Sequence, residues 1–314
     1  MKKWIVWSLV ILILGLVSIY FFIPAKIVIS RIITSEVTMP GEFRMISQEE
    51  KWEKWWRNSD GKPHVKGEPF TYNGSAFRIT SNRDNIAGIE IEQDGMKLQS
   101  VLHLISFKSD STGAIWESEI QAGNSPISRL STYNKAAELS RNMKAVLQNL
   151  KNYVSDPQNV YEISIHRSST RDTTLLSARF ISPTYPTTAE IYGYLDVVEK
   201  SIQKQKGMVS NFPLLNVRKL DSGGFETQVA IPTNRLLEND GKIFYRRMFP
   251  GNFLTAEVKG GPYTLMEAED QLENFQKDNK KTVMAKPFQQ LITNRMKEKD
   301  TLRWITRIYL PVMQ

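Results

Sequence analysis

Residues 4–25 constrain this chain more than any other stretch. They are almost entirely apolar, and Ser8 and Ser18 are the only small polar side chains among them. About twenty such residues form a helix long enough to cross a bilayer core. Nothing polar marks the solvent-facing stripe that a soluble surface helix needs. Trp4 and Trp7 at one end, and Tyr20, Phe21 and Phe22 at the other, suit the two membrane interfaces. Lys2 and Lys3 precede the segment, and Lys26 and Arg31 follow it. The positive-inside rule then slightly favours a cytoplasmic N-terminus, with the rest of the chain exported. The competing reading is a cleaved signal peptide. Its apolar region would be unusually long, and Ile23-Pro24-Ala25 lacks a small residue three positions before a cut. The length favours an anchor.

The remaining residues of the 314 suffice for two ordinary domains. The absence of cysteine rules out disulfides, thiolate metal sites and a cysteine nucleophile. His64, His103 and His166 are scattered and form no metal-binding spacing, so neither metal nor cofactor is expected. The net charge is +8, but Lys and Arg are mostly interleaved with Asp and Glu. The densest basic cluster, residues 277–281, sits where a helix should end, and there cations complement the helix dipole. No basic helix-turn-helix pattern is visible, and no nucleic-acid partner is expected.

After the anchor, residues 26–39 are rich in β-branched side chains and read as a strand that Pro40 and Gly41 end. A tryptophan-rich helical stretch follows over 41–56. Strands are predicted over 69–80, 87–94, 98–109 and 114–121, punctuated by turns at Asn73-Gly74, Asp94-Gly95 and Ser111-Thr112-Gly113. Residues 133–154 then change to helical periodicity. Leu139, Met143, Val146, Leu147, Leu150 and Val154 make one apolar stripe, which should lie across the preceding sheet.

This order of elements, with the anchor, the basic first strand, the KWEKWW stretch at 51–56 and the long last helix, resembles the START-like (Bet v 1-like, SRPBCC) helix-grip family, in particular its membrane-anchored bacterial members. The resemblance covers about 130 residues and rests on loose motifs. It implies a cavity between sheet and helix for an apolar ligand, and a bacterial inner-membrane location with periplasmic domains. Trp55 is a candidate wall of that cavity. Against this, Trp52, Trp55 and Trp56 at helical spacing more often pack a small helix onto a sheet.

The last half carries a weak internal repeat. Strand 175–185, helix 189–205, segment 212–219 and strand 225–233 are answered by strand 253–263, helix 264–279, segment 286–294 and strand 304–312. Pro183-x-Tyr185 answers Pro262-Tyr263, and Pro213 answers Pro287. Ile191, Leu195, Val198 and Ile202 stripe the first helix. Leu265, Ala268, Leu272 and Phe275 stripe the second. Two such units should join through their sheets with both helices on one side, leaving a concave seam.

The run from Gly260 to Phe275, the KPFQQLITN segment and the closing W-x-T-x-I-Y-x-P-V pattern at 304–312 resemble the GyrI-like effector-binding family over about 150 residues. The resemblance implies an amphiphilic, often cationic, small molecule in the cleft, or in a few members hydrolysis by a tryptophan and an acid. Carried onto this chain, it makes Tyr263, Trp304 and Tyr309 pocket walls. An acid is common two positions before the Tyr, where this chain has Arg307, with Gln228 at the matching place in the first copy. That departure removes a counter-ion for a cation and a hydrolytic acid. Glu267 and Glu269 read as a solvated helix face.

No G-x-S-x-G, P-loop, G-x-G-x-x-G or H-E-x-x-H occurs. The expectation is an α+β chain in three parts: a transmembrane anchor over 1–25, a START-like domain over 26–157, and a duplicated GyrI-like domain over 158–314. Its expected role is to sense, sequester or transfer an amphiphilic or apolar ligand. A hydrolase or cyclase in either cavity, and a structural or partner-binding protein with no ligand, are the alternatives.

Overall fold

The computed structural model describes residues 2–58, 64–169, 174–248 and 251–313. The side chains of Lys2 and Lys3, on which the topology expectation partly rests, lie outside the described residues. The fold is α+β, with two antiparallel sheets among the described residues. The chain divides into two compact units, Met1–Asp156 and Pro157–Gln314.

The first unit opens with α1 (Lys2–Phe22). Its Trp4–Phe22 span has a mean hydropathy of 2.6 and packs against nothing over most of its length, so by length and composition it can cross a membrane. Then follow β1 (Lys26–Ser35), α2 (Met39–Ser47), α3 (Glu49–Trp55), β2 (Phe70–Tyr72), β3 (Ser75–Arg83), β4 (Ile86–Gln93), β5 (Met96–Lys108), β6 (Ser111–Gln121) and α4 (Pro126–Val154). The sheet order is β1-β6-β5-β4-β3-β2, so β1 closes onto the last strand of the meander. Asn73 and Asp94 take φ of 45° and 48° ahead of Gly74 and Gly95 at 78° and 75°, the left-handed pairs that two-residue hairpins need. A third such pair, Asp84-Asn85, was not legible as a turn because neither residue is glycine.

The helix α4 starts seven residues earlier than the helix expected over 133–154. Ser125 caps it, with Ser125 and Ser128 bonding reciprocally and Pro126 in the first turn. Its stripe, Leu139 to Val154, is buried as the periodicity requires. Asn142 is buried beside that stripe and donates to Ser75 Oγ (3.0 Å) and to the Asn73 carbonyl (3.2 Å), which fixes α4 on the β2–β3 turn.

Aromatic side chains fill the core from α3 to β6. Trp52 stacks on Trp56 (5.2 Å between ring centres) and meets Phe70 at 5.3 Å; Trp56 meets Phe77 at 5.1 Å, and Phe77 meets Trp116 at 5.5 Å. The indole N–H groups donate to the carbonyls of Ile46 (from Trp52), Met45 (from Trp55) and Thr71 (from Trp56), and to Ser100 Oγ (from Trp116). Trp55, a candidate cavity wall by resemblance, is thus a hydrogen-bonded core side chain, 3% exposed. Among the described residues of this unit, one carboxylate lies in the buried core. Glu42 is fully buried; Ser35 Oγ donates to its Oε2, while its Oε1 has no partner. Burial pushes its pKa up to about 7, against the Ser35 bond that lowers it.

The second unit contains α5 (Pro157–Tyr161), β7 (Ile165–Ser169), β8 (Thr174–Ser182), α6 (Thr188–Lys204), β9 (Leu214–Lys219), β10 (Phe225–Pro232), β11 (Ile243–Arg247), β12 (Asn252–Lys259), α7 (Pro262–Asp278), β13 (Phe288–Leu291), a 3-10 turn (Thr301–Arg303) and β14 (Ile305–Val312). Its sheet order is β11-β8-β10-β9-β13-β14-β12-β7. The two copies of the repeat meet where β9 pairs with β13, Leu215 opposite Gln289. The outer strands are exchanged: β7 precedes the first copy but pairs with β12 of the second, and β11 precedes the second but pairs with β8 of the first. Both helices cover one face. The α6 stripe packs on Leu176, Val229 and Ile231, and the α7 stripe on Leu254, Ile308 and Leu310.

Candidate functional site

Over the β9–β13 seam, between the first turns of α6 and α7, lies a groove of about 590 Å³. Its floor includes Leu215, Val217 and Gln289; its walls include Ile191, Leu265, Glu269, Arg295 and Trp304. Each side begins at a helix start. Thr187 caps α6 in a reciprocal bond with Glu190. On the other side the chain turns into α7 through Gly260, whose φ is 151° and where a Cβ would meet Thr264 Oγ1 at 2.7 Å. The same glycine donates its N–H to the Trp304 carbonyl (2.9 Å), which holds the α7 entrance against the start of β14.

Trp304 is 8% exposed, and its indole N–H donates to the Glu298 carbonyl (2.9 Å). The Arg295 guanidinium lies 4.8 Å from the centre of that indole ring, a cation–π contact. Arg295 Nη2 donates to Thr306 Oγ1 (2.8 Å), and its backbone N–H donates to Tyr192 Oη (2.8 Å). Its Nε is buried without a hydrogen-bond partner. Burial pulls the guanidinium below its ordinary value, with the Tyr192 and Tyr185 hydroxyls opposing.

The opposite wall is acidic. Gln289 Nε2 donates to Glu269 Oε1 (3.0 Å), while Gln289 Oε1 is buried without a partner. Burial raises the Glu269 carboxyl above its usual range; the Gln289 bond lowers it and Asp270 adds a smaller rise. Tyr185 lies at the rim, with half its surface still open to solvent. Burial, then the Glu269 carboxylate, push its hydroxyl up, and Arg295 pulls it down. The groove thus combines apolar walls with two side chains that each keep an unpartnered buried polar atom and a carboxyl that burial pushes above its usual range. Among the described residues no group of three or more His, Asp or Glu side chains is placed to hold a metal ion.

Of the six side chains named from sequence, Trp304 alone lines this groove. Tyr263 is 83% exposed. The resemblance made it a pocket wall, but it is already the second residue of α7, whereas Tyr185, its counterpart in the repeat, stands two residues before the α6 cap and lines the groove. Arg307 and Tyr309 alternate with Thr306, Ile308 and Leu310, and only the latter set faces α7. Arg307 therefore points to the other face of the sheet, where its Nη2 donates to Glu257 (2.7 Å). There Tyr309 stacks on Phe288 (4.9 Å) and donates to Gln290 Oε1 (3.2 Å). Gln228 alternates in the same way with Thr227 and Val229, and also faces away from the groove. Trp55 belongs to the first unit's core.

Glu269 is not on a solvated face. It stands four residues after Leu265 and three before Leu272, hence within the buried arc of α7, a spacing that was readable. Arg295 and Gln289 gave no such signal, because a loop residue and a short strand have no period to read.

No protein-family model matches the sequence, and no curated protein matches it. Among solved structures, the chain is similar to the C-terminal domain of EcmrR, with 18% identity over 48% of this chain and 98% of that one and a TM-score of 0.42. It is also similar to SAV2435 bound to tetraphenylphosphonium, with 14% identity over 48% of this chain and 93% of that one and a TM-score of 0.33. A hydrolase encoded by lin2189 from Listeria innocua matches at 10% identity over 48% of this chain and 92% of that one, with a TM-score of 0.38. Scores this low assign neither a ligand nor a reaction.

Proposed function

We propose that this chain is a membrane-anchored small-molecule-binding protein whose ligand site is the groove between α6 and α7. In this reading α1 holds it in a bacterial inner membrane, with both units on the periplasmic side. The first unit is read as a START-like helix-grip domain and the second as a GyrI-like one. The meander crossed by α4, and the duplicated sheet carrying two helices on one face, support those readings. The ligand is an amphiphile. Its apolar part lies on Leu215, Leu265 and Trp304, and its head gives an acceptor to the Arg295 side chain and a donor to the Gln289 side chain, each of which turns toward the ligand.

The observation that carries the proposal is an apolar-walled groove two of whose lining side chains, Arg295 and Gln289, each keep a buried polar atom without a partner. Buried donors and acceptors without partners cost about 1–3 kcal/mol each. A ligand that satisfies both recovers that cost, so the groove is better matched to a polar amphiphile than to a hydrocarbon. Native mass spectrometry of the full chain released from lipid nanodiscs tests this, followed by calorimetric titration of carboxylic, amide and quaternary-ammonium amphiphiles of equal chain length. Carboxylic or amide heads should bind tightest. Failure of all three classes would remove the site.

Two substitutions locate the head and the wall. Arg295→Gln should weaken a carboxylic amphiphile about 10- to 100-fold, the worth of a hydrogen bond to a charged group. Trp304→Ala should weaken every groove ligand by a similar factor of about ten or more, with the first unit's unfolding transition unmoved. Unchanged affinity in either variant would take that residue out of the site.

A hydrolase reading has one observation in its favour, the Glu269 carboxyl raised by burial beside Trp304. Ester turnover abolished by Glu269→Gln would support it; absence of turnover across an ester panel would end it.

A further inference from the structure

We infer that the start of α4 is a second membrane contact: Ile127 and Leu130, with Tyr133 behind them, sit in the bilayer surface beside the end of α1 and hold the first unit down on the lipid. The inference rests on the reading that α1 spans a bilayer.

The geometry that supports it begins at the end of α1. Tyr20 Oη donates to the Asn124 carbonyl (2.6 Å). Arg129 Nη1 donates to the Ile23 carbonyl (3.0 Å), its Nε to the Gly123 carbonyl (3.3 Å), and its guanidinium lies 4.4 Å from the centre of the Tyr20 ring. One residue past Pro24, the Ala25 carbonyl accepts the Ala122 N–H (2.7 Å). The first turn of α4 is therefore tied at several points to the place where the chain leaves the anchor. From there α4 runs beside β1, and Arg31 Nε donates to the Ser140 carbonyl (3.3 Å). The start of α4 is thus its membrane-proximal end.

That end is apolar and uncovered. Ile127 is 77% exposed, Leu130 47% and Tyr133 48%; at the end of α1, Phe21 and Phe22 are exposed as well, 84% and 83%. Farther along α4, the apolar residues turn inward to the sheet, from Ala136 and Leu139 onward. A single exposed leucine on a soluble domain needs no explanation, but three exposed apolar residues in the helix start that is tied to a wholly apolar helix do. Lipid is the occupant with matching chemistry, because the helix to which this end of α4 is tied is itself apolar and long enough to cross a bilayer. Arg129 also suits the headgroup level: its guanidinium lies over the Tyr20 ring and donates to backbone carbonyls at the end of the anchor.

The native chain has no cysteine, so single labels can be placed without removing anything. Ile127→Cys and Leu130→Cys would be labelled with an environment-sensitive fluorophore in the full chain, reconstituted in nanodiscs containing nitroxide lipids. Leu12→Cys in mid-anchor and Asp110→Cys at the β5–β6 turn are the references. Labels at 127 and 130 should show blue-shifted emission and lose intensity to nitroxides near the headgroups, while the label at 110 does neither. If position 12 is quenched by nitroxides near the chain ends but 127 and 130 behave like 110, the inference fails and the anchor stands. Blue-shifted emission at 127 with no lipid quenching would mean a protein occupant and would also overturn it. No quenching at position 12 would overturn the anchor reading itself, and this contact with it.

Discussion

Trp52→Ala is expected to lower the stability of the first unit by about 3–5 kcal/mol. Trp52 is fully buried and touches three other aromatic rings, Trp55, Trp56 and Phe70, at 5.2–5.3 Å. Its loss removes those ring contacts, leaves a cavity that α3 and β2 cannot close without moving, and orphans the Ile46 carbonyl. A domain of this size has a total stability of about 5–15 kcal/mol, so the variant should approach unfolding near body temperature. Urea denaturation followed by near-ultraviolet circular dichroism reads the change. The outcome also bears on the ligand-cavity reading of the tryptophans. A loss under about 1 kcal/mol would mean that these rings line an adjustable cavity instead of a closed core.

Glu42→Gln is expected to act in the opposite direction, stabilising the protein at pH 8 by up to about 3 kcal/mol and leaving it unchanged near pH 4. The sign follows from the raised pKa. Unfolded, Glu42 titrates near its ordinary value of 4.5; folded, it holds its proton to about pH 7. Between those values the folded state binds more protons than the unfolded state, so the glutamate's contribution falls as pH rises through that window. Above it, the native chain carries a buried carboxylate whose Oε1 has no partner. Glutamine keeps the shape and the acceptor for Ser35 without the charge. Chemical denaturation of both proteins across pH 4–9 gives the difference curve. A flat difference would mean that Glu42 ionises in the folded protein as freely as in the unfolded one.

The helices were legible because their signal is local. The stripes Leu139 to Val154, Ile191 to Ile202 and Leu265 to Phe275 are all turned inward, since a helix of period 3.6 can bury one face only. The hairpins at Asn73-Gly74 and Asp94-Gly95 were legible because left-handed backbone conformations select those residues. The edge strands β7 and β11 were missed: each is five residues long and pairs with the other copy of the repeat, so neither the repeat nor its own short pattern announced it.

For this protein the sequence by itself determined the apolar N-terminal helix, the meander, the duplicated half and the helical faces that close each core. Only the tertiary structure decided which side chains meet. A one-step choice of strand face sends Arg307, Tyr309 and Gln228 away from the groove, while Trp304 remains in it. Glu269 from a helix, Gln289 from a strand and Arg295 from a loop come to one place although twenty-six residues separate the first from the last. Periodicity is fixed by backbone geometry within a few residues and can be read along the chain. The convergence of a donor, an acceptor and an acid depends on how the β9–β13 seam and the two helix starts pack, and no local pattern encodes it.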